Sequence, residues 1–258
     1  MLSKNQIKFV TSLKQKKFRE EHQLFIAEGV KMVKELLQST IQVKQIYATS
    51  EFLRTTKIDS GIERFEIKEN ELERISALYT PNEVLAVCQI PEKTFEAKQV
   101  SKQLTLVLEE IKDPGNMGTI IRIADWFGIQ TILCSLQTAD LFNPKVVQAT
   151  MGSIARVDVY YMDLPGFFNQ QKAENSLPVY GALLEGENLY SHSLSKNGFI
   201  VIGNESNGIS ESLLPYITDK ISIPSFSHFK TTAGEAESLN AGIATAVICS
   251  EFRRKSSL

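Results

Sequence analysis

Apolar residues follow two different patterns along the chain, and the first occupies residues 24 to 90. Short apolar runs of β type alternate there with segments in which apolar residues recur every three or four positions. The β-type runs are "LFIAEG", "VKQIYAT", "RFEIK" and "VLAVCQI". The helical segments are "VKMVKELL" and "KENELERISAL". This alternation predicts a small α/β unit in the N-terminal region.

A second series of apolar runs begins after residue 103. These runs are nearly continuous: "LTLVLEEI", "TILCS", "VDVYYM", "VYGALL", "FIVIGN" and "KISIPS". Strands that are apolar on both faces are typical of a parallel sheet covered by helices on each side. The final segment, "SLNAGIATAVICSEFRRK", predicts a long helix with Ser238 as its N-cap. The second region is therefore predicted to be an α/β domain with a parallel sheet.

A polar stretch separates the two regions. "PEKTFEAKQVSKQ", residues 91–103, opens with a proline and has little apolar periodicity. We interpret it as a linker between a domain of residues 1–95 and a domain of residues 96–258. A chain of 258 residues is long enough for two domains of this kind.

Composition narrows the class of protein. The longest apolar run, near residues 241–249, is too short for a membrane span, and "MLSKNQIKFV" lacks the apolar centre of a signal peptide, so we expect a cytoplasmic protein. Cys88, Cys134 and Cys249 are widely spaced among apolar residues, which predicts buried free thiols. The three histidines share no ligand spacing, and we expect no metal site.

Basic residues are concentrated at both ends of a chain whose net charge is only -2. Residues 1–19 contain no acid and six basic residues: Lys4, Lys8, Lys14, Lys16, Lys17 and Arg19. The other end carries Arg253, Arg254 and Lys255. Such clusters either contact the phosphates of a nucleic acid or form solvated helix faces, and charge alone leaves both interpretations open.

Polar residues and glycines follow three predicted strands of the second region. "KDPGNMGTIIRIADWFG" follows the first of these strands, "NESNG" follows "FIVIG", and a loop leading to "ESLN" follows "KISIP". Any one of these segments could be ordinary turn geometry. Ligands bind at the carboxyl ends of strands in open parallel sheets, so their recurrence predicts a binding site there. The motifs GxxxxGK[ST], GxGxxG and GxSxG are absent from these positions.

The three segments resemble the signatures of a known family. "NMGTIIRIADWFG" is similar to the first signature, NxGxxxRxA, of the TrmH/SpoU branch of the SPOUT methyltransferases. "IGNESNG" resembles the second, GNExxG, and "IP" followed by "ESLN" resembles the third. The segments "LFIAEGVKMVKELL" and "YTPNEVLAVCQIPE" resemble the substrate-binding domain of this branch, which is similar to a small ribosomal protein. Sixteen positions separate Pro224 from Asn240, a longer spacing than is usual in the family.

The resemblance implies a C-terminal SPOUT domain with a deep trefoil knot, a bound S-adenosylmethionine and an obligate homodimer. It also implies methyl transfer to a ribose 2'-hydroxyl of structured RNA, a reaction that needs no metal. Ribosomal RNA is the expected substrate, with transfer RNA as the alternative. A non-catalytic RNA-binding protein would be expected to lose Arg122, Glu205 or Asn240, and an oxidoreductase would need a glycine fingerprint.

The same resemblance implies roles for individual residues. The expected catalytic residues are Asn116, Arg122, Glu205, Ser238 and Asn240. The expected cofactor-binding residues are Leu183, Gly203, Asn204, Ile223, Pro224 and Leu239, although Leu183 could equally be a core residue. A guanidinium has no acceptor and stays protonated, so we expect Arg122 to orient the RNA phosphate and stabilise the developing alkoxide. Glu205 is the best protein candidate for the base, with a phosphate oxygen or water as alternatives.

Two pairs of alternatives are compatible with the resemblance. The methylated nucleotide is either a guanosine or a uridine, and Arg122 acts either in its own subunit's site or in the partner's.

Overall fold

The structure is a computed structural model that describes residues 1–174, 177–226 and 238–256. Its contacts divide the chain into two compact units. Unit 1 comprises Met1–Thr94 together with Asp140–Arg156, and unit 2 comprises Phe95–Ala139 together with Val157–Leu258. Residues 140–156, predicted to lie in the second domain, belong to unit 1.

Unit 1 is built on a four-stranded mixed sheet. Its elements are α1 (Lys4–Ser12), α2 (Lys16–His22), β1 (Leu24–Glu28), α3 (Val30–Leu37), β2 (Val43–Ala48), α4 (Ser50–Thr55), β3 (Glu63–Glu66), α5 (Glu69–Ile75) and β4 (Val84–Gln89). The strand order is β1-β4-β2-β3, in which β4 is antiparallel to both neighbours and β2 is parallel to β3. The predicted α/β unit is thus confirmed.

Unit 2 is built on a six-stranded sheet. Its elements are β5 (Leu104–Leu108), α6 (Pro114–Trp126), β6 (Thr131–Ser135), β7 (Asp158–Met162), α8 (Leu164–Glu174), β8 (Val179–Asn188), β9 (Gly198–Ile202), β10 (Asp219–Ser222) and α9 (Ala241–Ser256). The strand order is β10-β8-β9-β5-β6-β7, and every neighbouring pair is parallel. The predicted parallel sheet is confirmed, whereas the knot stays a prediction.

The segment between β6 and β7 belongs to unit 1 because of the contacts it makes there. It contains α7 (Pro144–Thr150), which packs against β1. The Phe142 ring lies 4.8 Å from the Phe25 ring, measured between centroids. Arg19 is only 3% exposed and pairs with Asp140, while its Nη1 donates to the Leu13 carbonyl at 2.9 Å. Arg19 is therefore a buried structural residue and is not available to contact phosphate.

Part of the predicted linker is packed into unit 2. The Phe95 ring lies 5.2 Å from the Tyr160 ring and 5.7 Å from the Phe167 ring, measured between centroids. Val100, which follows a 3-10 turn at Ala97–Gln99, is completely buried in the same core. These two apolar residues are too few and too irregularly spaced to produce a helical or strand periodicity, so the pattern did not indicate their burial.

The C-terminal basic residues are bound to unit 2 itself. Arg253 donates to the carbonyls of Phe127 at 2.6 Å and Gly128 at 3.0 Å. Arg254 forms two hydrogen bonds with Glu251, at 2.8 and 2.7 Å, and Lys255 donates to a backbone carbonyl. Arg253 and Lys255 therefore attach α9 to its surroundings, whereas Arg254 pairs within the helix.

All three cysteines are buried free thiols, as predicted, and burial raises the pKa of the Cys249 thiol to about 12. Within the described ranges, no group of three or more histidine, cysteine, aspartate and glutamate side chains could hold a metal ion. Likewise, no helix in the described part of the chain combines the length and the apolar character needed to cross a membrane.

Candidate active site

The carboxyl ends of β8, β9 and β10 lie at one edge of the unit 2 sheet. Gly181 pairs with Val201 of β9 and with Lys220 of β10. Gly203 directly follows β9, and Leu183 lies within β8, in the stretch 182–186 where the register with β10 shifts from Lys220–Gly181 to Ile221–Glu187. Both residues therefore lie near the carboxyl ends of these strands, where open parallel sheets bind ligands. The predicted segments near the carboxyl ends of β8, β9 and β10 thus lie together at this edge of the sheet.

Three predicted catalytic residues form one hydrogen-bonded chain. Asn240 Nδ2 donates to Asn116 Oδ1 at 2.8 Å, and Asn116 Nδ2 donates to Glu205 Oε1 at 2.7 Å. These residues come from the beginning of α9, the first turn of α6 and the loop after β9. The fold thus joins the three sequence motifs through their side chains.

The start of α9 determines which groups donate and which accept in these hydrogen bonds. Asn240 Oδ1 accepts the backbone N–H groups of Gly242 at 2.9 Å and Ile243 at 3.3 Å, so its amide nitrogen must face Asn116. Asn116 then presents its oxygen to Asn240 and its nitrogen to Glu205. Asn240, rather than Ser238, is therefore the N-cap of α9, and the prediction of Ser238 as N-cap is wrong.

Asn116 is held in place by the first turn of α6. Its backbone N–H donates to Asp113 Oδ1 at 2.7 Å, and Pro114 occupies the first helical position. An Asp-Pro pair of this kind is a typical helix start. The carboxylate accepts a backbone N–H that has no partner within the helix, and proline has no N–H that would need an acceptor. Asp113 was not among the predicted site residues, although the Asp-Pro pair in the sequence could have identified it.

The loop that carries Glu205 is folded tightly on itself. Asn204 and Gly208 exchange two backbone hydrogen bonds of 2.9 Å, and Asn204 Oδ1 accepts the N–H of Ser206 at 2.9 Å. A Cβ atom at Gly203 would lie only 2.3 Å from the carbonyl carbon of Gly208. Glycine is required at position 203 by this turn itself, whether or not a cofactor is bound.

Two consecutive glutamates after β5 hold the two ends of this loop. The Glu110 carbonyl accepts from Asn204 Nδ2 at 2.8 Å. The buried Glu109 carboxylate accepts the Ser210 N–H at 2.8 Å and also accepts the Ser210 hydroxyl. Glu205 therefore lies on a loop attached on both sides. Glu109, Glu110 and Ser210 were not predicted to be site residues, because no local pattern indicates contacts between residues about a hundred positions apart.

Arg122 is exposed on α6 and has no hydrogen-bond or ion-pair partner in the described part of the chain. Trp126 follows it by one helical turn on the same face and is 85% exposed. A guanidinium without a protein partner has all its donors available for an anion. The structure therefore leaves Arg122 available to a ligand.

The predicted cofactor-binding residues lie on segments that expose apolar side chains. Ile223 and Pro224 are half-buried after β10, and Leu183 is half-buried against the unit 2 core. Large exposed apolar side chains occur on the same segments: Leu184, Phe226 and Leu239. Ser238 is exposed just before Leu239. Most of the long segment between Pro224 and Asn240 lies outside the described residues.

Comparison with known sequences identifies the class of protein. Residues 103–250 match the SpoU rRNA Methylase family, and residues 4–86 match the MRM3-like substrate binding domain. The first match covers more than half of the chain. The protein therefore belongs to the SpoU rRNA methylase family.

Individual relatives resemble the chain over its full length. The chain is 31% identical over 253 residues, or 97% of each sequence, to the 23S rRNA (guanosine(2553)-2'-O)-methyltransferase RlmP of Bacillus subtilis (strain 168). A TrmH-family RNA methyltransferase structure from Porphyromonas gingivalis has a TM-score of 0.86 and 40% identity, with 99% of each chain covered. An AdoMet-bound rRNA methyltransferase structure from Sinorhizobium meliloti has a TM-score of 0.84 and 27% identity, with 99% of this chain and 96% of that chain covered.

Proposed function

We propose that the protein transfers a methyl group from S-adenosylmethionine to a ribose 2'-hydroxyl of ribosomal RNA at the edge formed by β8, β9 and β10. Membership of the SpoU rRNA methylase family and the similarity to RlmP over nearly the whole chain support this reaction. The observation that carries the proposal is the hydrogen-bonded chain from Asn240 through Asn116 to Glu205.

The residues at this edge fit S-adenosylmethionine. Exposed Leu184, Phe226 and Leu239 offer apolar surface for the adenine, and the backbone around Gly203 and Ile223 offers amide and carbonyl groups. When bound, the cofactor supplies an electrophilic methyl group on its sulfonium. We assign its binding to Leu183, Gly203, Asn204, Ile223, Pro224 and Leu239.

Arg122 and Glu205 have separate tasks in the proposed mechanism. Glu205 Oε1 accepts the Asn116 hydrogen bond, and Oε2 has no hydrogen-bond partner among the described residues. Oε2 can therefore accept the proton of the 2'-hydroxyl. Arg122 cannot be a base, and its guanidinium orients the RNA phosphate and stabilises negative charge on the 2'-oxygen. Asn116 and Asn240 hold Glu205, and Ser238 contacts the ribose.

A homodimer forms part of the proposal, and an apolar surface on α6 and α9 supports it. Trp126 and Ile243 are 85% and 56% exposed on these two helices. The helices pack together, and a Cβ atom at Gly242 would lie 3.1 Å from the Thr119 side chain. Exposed apolar side chains on adjacent helices are typical of an interface between subunits. The partner subunit would then lie close to Arg122.

The proposal is tested by incubating the protein with methyl-labelled S-adenosylmethionine and separated ribosomal and transfer RNA. The labelled nucleotide is then mapped by nuclease digestion and mass spectrometry. We expect a 2'-O-methyl group in ribosomal RNA. Arg122→Ala should lower the rate of methyl transfer about 100- to 1,000-fold, as the loss of one transition-state donor does. Cofactor affinity should change little, because Arg122 is assigned to the RNA.

Arg122→Lys should also be slow, because one ammonium group cannot reproduce the planar fork of a guanidinium. Arg254→Ala is the matched control, since Arg254 is an exposed arginine of unit 2 that binds Glu251. Label in transfer RNA alone would contradict the substrate assignment. Near-normal turnover of both Arg122 variants would contradict the role of that residue.

A further inference from the structure

A loop of unit 1, residues 77–83, carries a completely exposed aromatic side chain. It connects the end of α5 to the start of β4. Its Tyr79 side chain is 103% exposed, and we call residues 77–83 the Tyr79 loop. Tyrosine has a large apolar face and is enriched at binding surfaces, where a partner covers that face.

A buried carboxylate fixes the beginning of the Tyr79 loop. Glu28, at the end of β1, is only 5% exposed. It accepts the Ser76 hydroxyl and, at 2.7 Å, the Ala77 N–H. Burial raises the pKa of Glu28, and the hydrogen bonds from Ser76 and Ala77 oppose this rise. Burying a carboxyl group is costly unless it is hydrogen-bonded, and here its partners are the residues that lead into the loop.

The end of the Tyr79 loop is attached to two other segments of unit 1. The Glu83 carbonyl accepts the Thr49 N–H at 3.0 Å, and the Val84 carbonyl accepts the Gly29 N–H at 3.0 Å. Both ends of the loop are therefore held by hydrogen bonds. The Tyr79 ring is therefore exposed to solvent on a loop whose two ends are fixed.

Positive charge lies beside the Tyr79 loop. Lys14 Nζ donates to the Ser76 carbonyl at 2.6 Å, at the residue that Glu28 also binds. Lys16 and Lys17 follow in the chain and are exposed. Lys16 lies 3.6 Å from Glu20, and an exposed ion pair of this kind is weak enough for a phosphate to compete with the carboxylate. Aromatic side chains next to basic ones are typical of surfaces that bind unpaired nucleotides, because bases stack on the ring and phosphates contact the ammonium groups.

We propose that Tyr79 stacks on an unpaired base of the RNA substrate, and that Lys16 and Lys17 contact the neighbouring phosphates. This inference rests on the proposed function for the identity of the ligand as RNA. It adds that the substrate presents an unstacked nucleotide to unit 1, since a base inside a duplex has no free face for the ring.

The test is filter binding of in vitro transcribed large-subunit ribosomal RNA to the full-length protein without S-adenosylmethionine. Tyr79→Ala should weaken binding about 5- to 140-fold, the range expected for the loss of one base–aromatic stack. Tyr79→Phe and Tyr79→Trp should bind like the parent protein because both keep an aromatic face. Tyr190→Ala, at an exposed tyrosine of unit 2, is the matched control and should have no effect.

Salt dependence separates stacking from charge. Tyr79→Ala should leave the slope of log affinity against log salt concentration unchanged, whereas Lys17→Ala should reduce it by about 1. Equal affinity of Tyr79→Ala and the parent protein would overturn the inference, and so would equal losses in all three Tyr79 variants. Methyl transfer by the parent protein, measured separately, decides the proposed function, so the two failures are distinguishable.

Discussion

At the scale of single residues, Glu110 shows how the site depends on an uncommon backbone conformation. Its φ angle is 52°, in the left-handed region that non-glycine residues seldom adopt. Its N–H donates to Ser135 Oγ at 3.0 Å, and its carbonyl accepts from Asn204 at 2.8 Å. These contacts hold the backbone in a conformation that costs about 1–2 kcal/mol for a residue with a Cβ atom. The strain lies next to the loop that presents Glu205.

Replacing Glu110 with glycine should stabilise the protein, because glycine adopts this conformation without the steric cost. Glycine also adds conformational freedom to the unfolded chain, which costs about 0.4–1 kcal/mol, less than the strain of about 1–2 kcal/mol that it relieves. We expect a net gain of about 1 kcal/mol and a rise in the unfolding midpoint of about 2–4 °C. Thermal unfolding followed by circular dichroism measures the change. Glu110→Ala is the control: it also removes the 3.1 Å ion pair with Lys112 but keeps a Cβ atom, so it should give no gain. A gain in both variants would show that strain is not the cause.

At the scale of elements, the start of α9 combines helix capping with the organisation of the site. Asn240 caps the helix through its oxygen and binds Asn116 through its nitrogen. The position of α9 therefore determines the direction in which the Asn240 side chain reaches Asn116. A substitution of Asn240 can remove the helix cap, the hydrogen bond to Asn116 or both, and the choice of substitution separates the two effects.

Asn240→Ala should lower the free energy of unfolding by about 0.5–2 kcal/mol, the usual cost of losing an N-cap, and should also slow methyl transfer. Asn240→Asp keeps the capping oxygen but replaces the N–H donor that binds Asn116, so it should retain stability and still slow the reaction. Urea unfolding and single-turnover methyl transfer measure the two effects. Ser238→Ala should leave the free energy of unfolding unchanged, because Ser238 is not the cap. Destabilisation by Ser238→Ala and not by Asn240→Ala would contradict this assignment.

At the scale of the whole molecule, neither unit is a continuous piece of chain. Unit 1 includes the segment between β6 and β7, with Phe142 against Phe25 and the Arg19–Asp140 pair. A truncation near residue 95 would remove the partners of this segment, so point variants are better tests of function. Arg19 should be left unchanged in them, because removing one member of a buried ion pair costs about 3–5 kcal/mol.

The proposed homodimer gives a prediction at the same scale. Trp126→Glu should convert the dimer to a monomer, because a carboxylate placed in an apolar interface would have to lose its hydration. Sedimentation equilibrium of both proteins measures the change. Tyr190→Glu, at a half-exposed residue of unit 2 outside α6 and α9, should remain a dimer. A monomeric parent protein, or a dimeric Trp126→Glu variant, would exclude the surface on α6 and α9 as the interface.

The sequence by itself determined the strands of both units, the helices α3, α5 and α9, and the motif residues of the site. Continuous apolar runs predicted the parallel strands, and the signatures around Asn116, Glu205 and Asn240 predicted residues that the structure links by hydrogen bonds. These features can be predicted from the sequence because burial and backbone preference act on residues close together in the chain.

Only the tertiary structure decided which distant groups meet. Residues 140–156 pack in unit 1, Val100 is buried in the core of unit 2, Asn240 binds Asn116, and Glu109 and Glu110 bind the two ends of the loop that carries Glu205. In each case an apolar or polar group found a partner far away in the chain. Local patterns carry no information about such partners, because the distance between them becomes short only when the complete unit has folded.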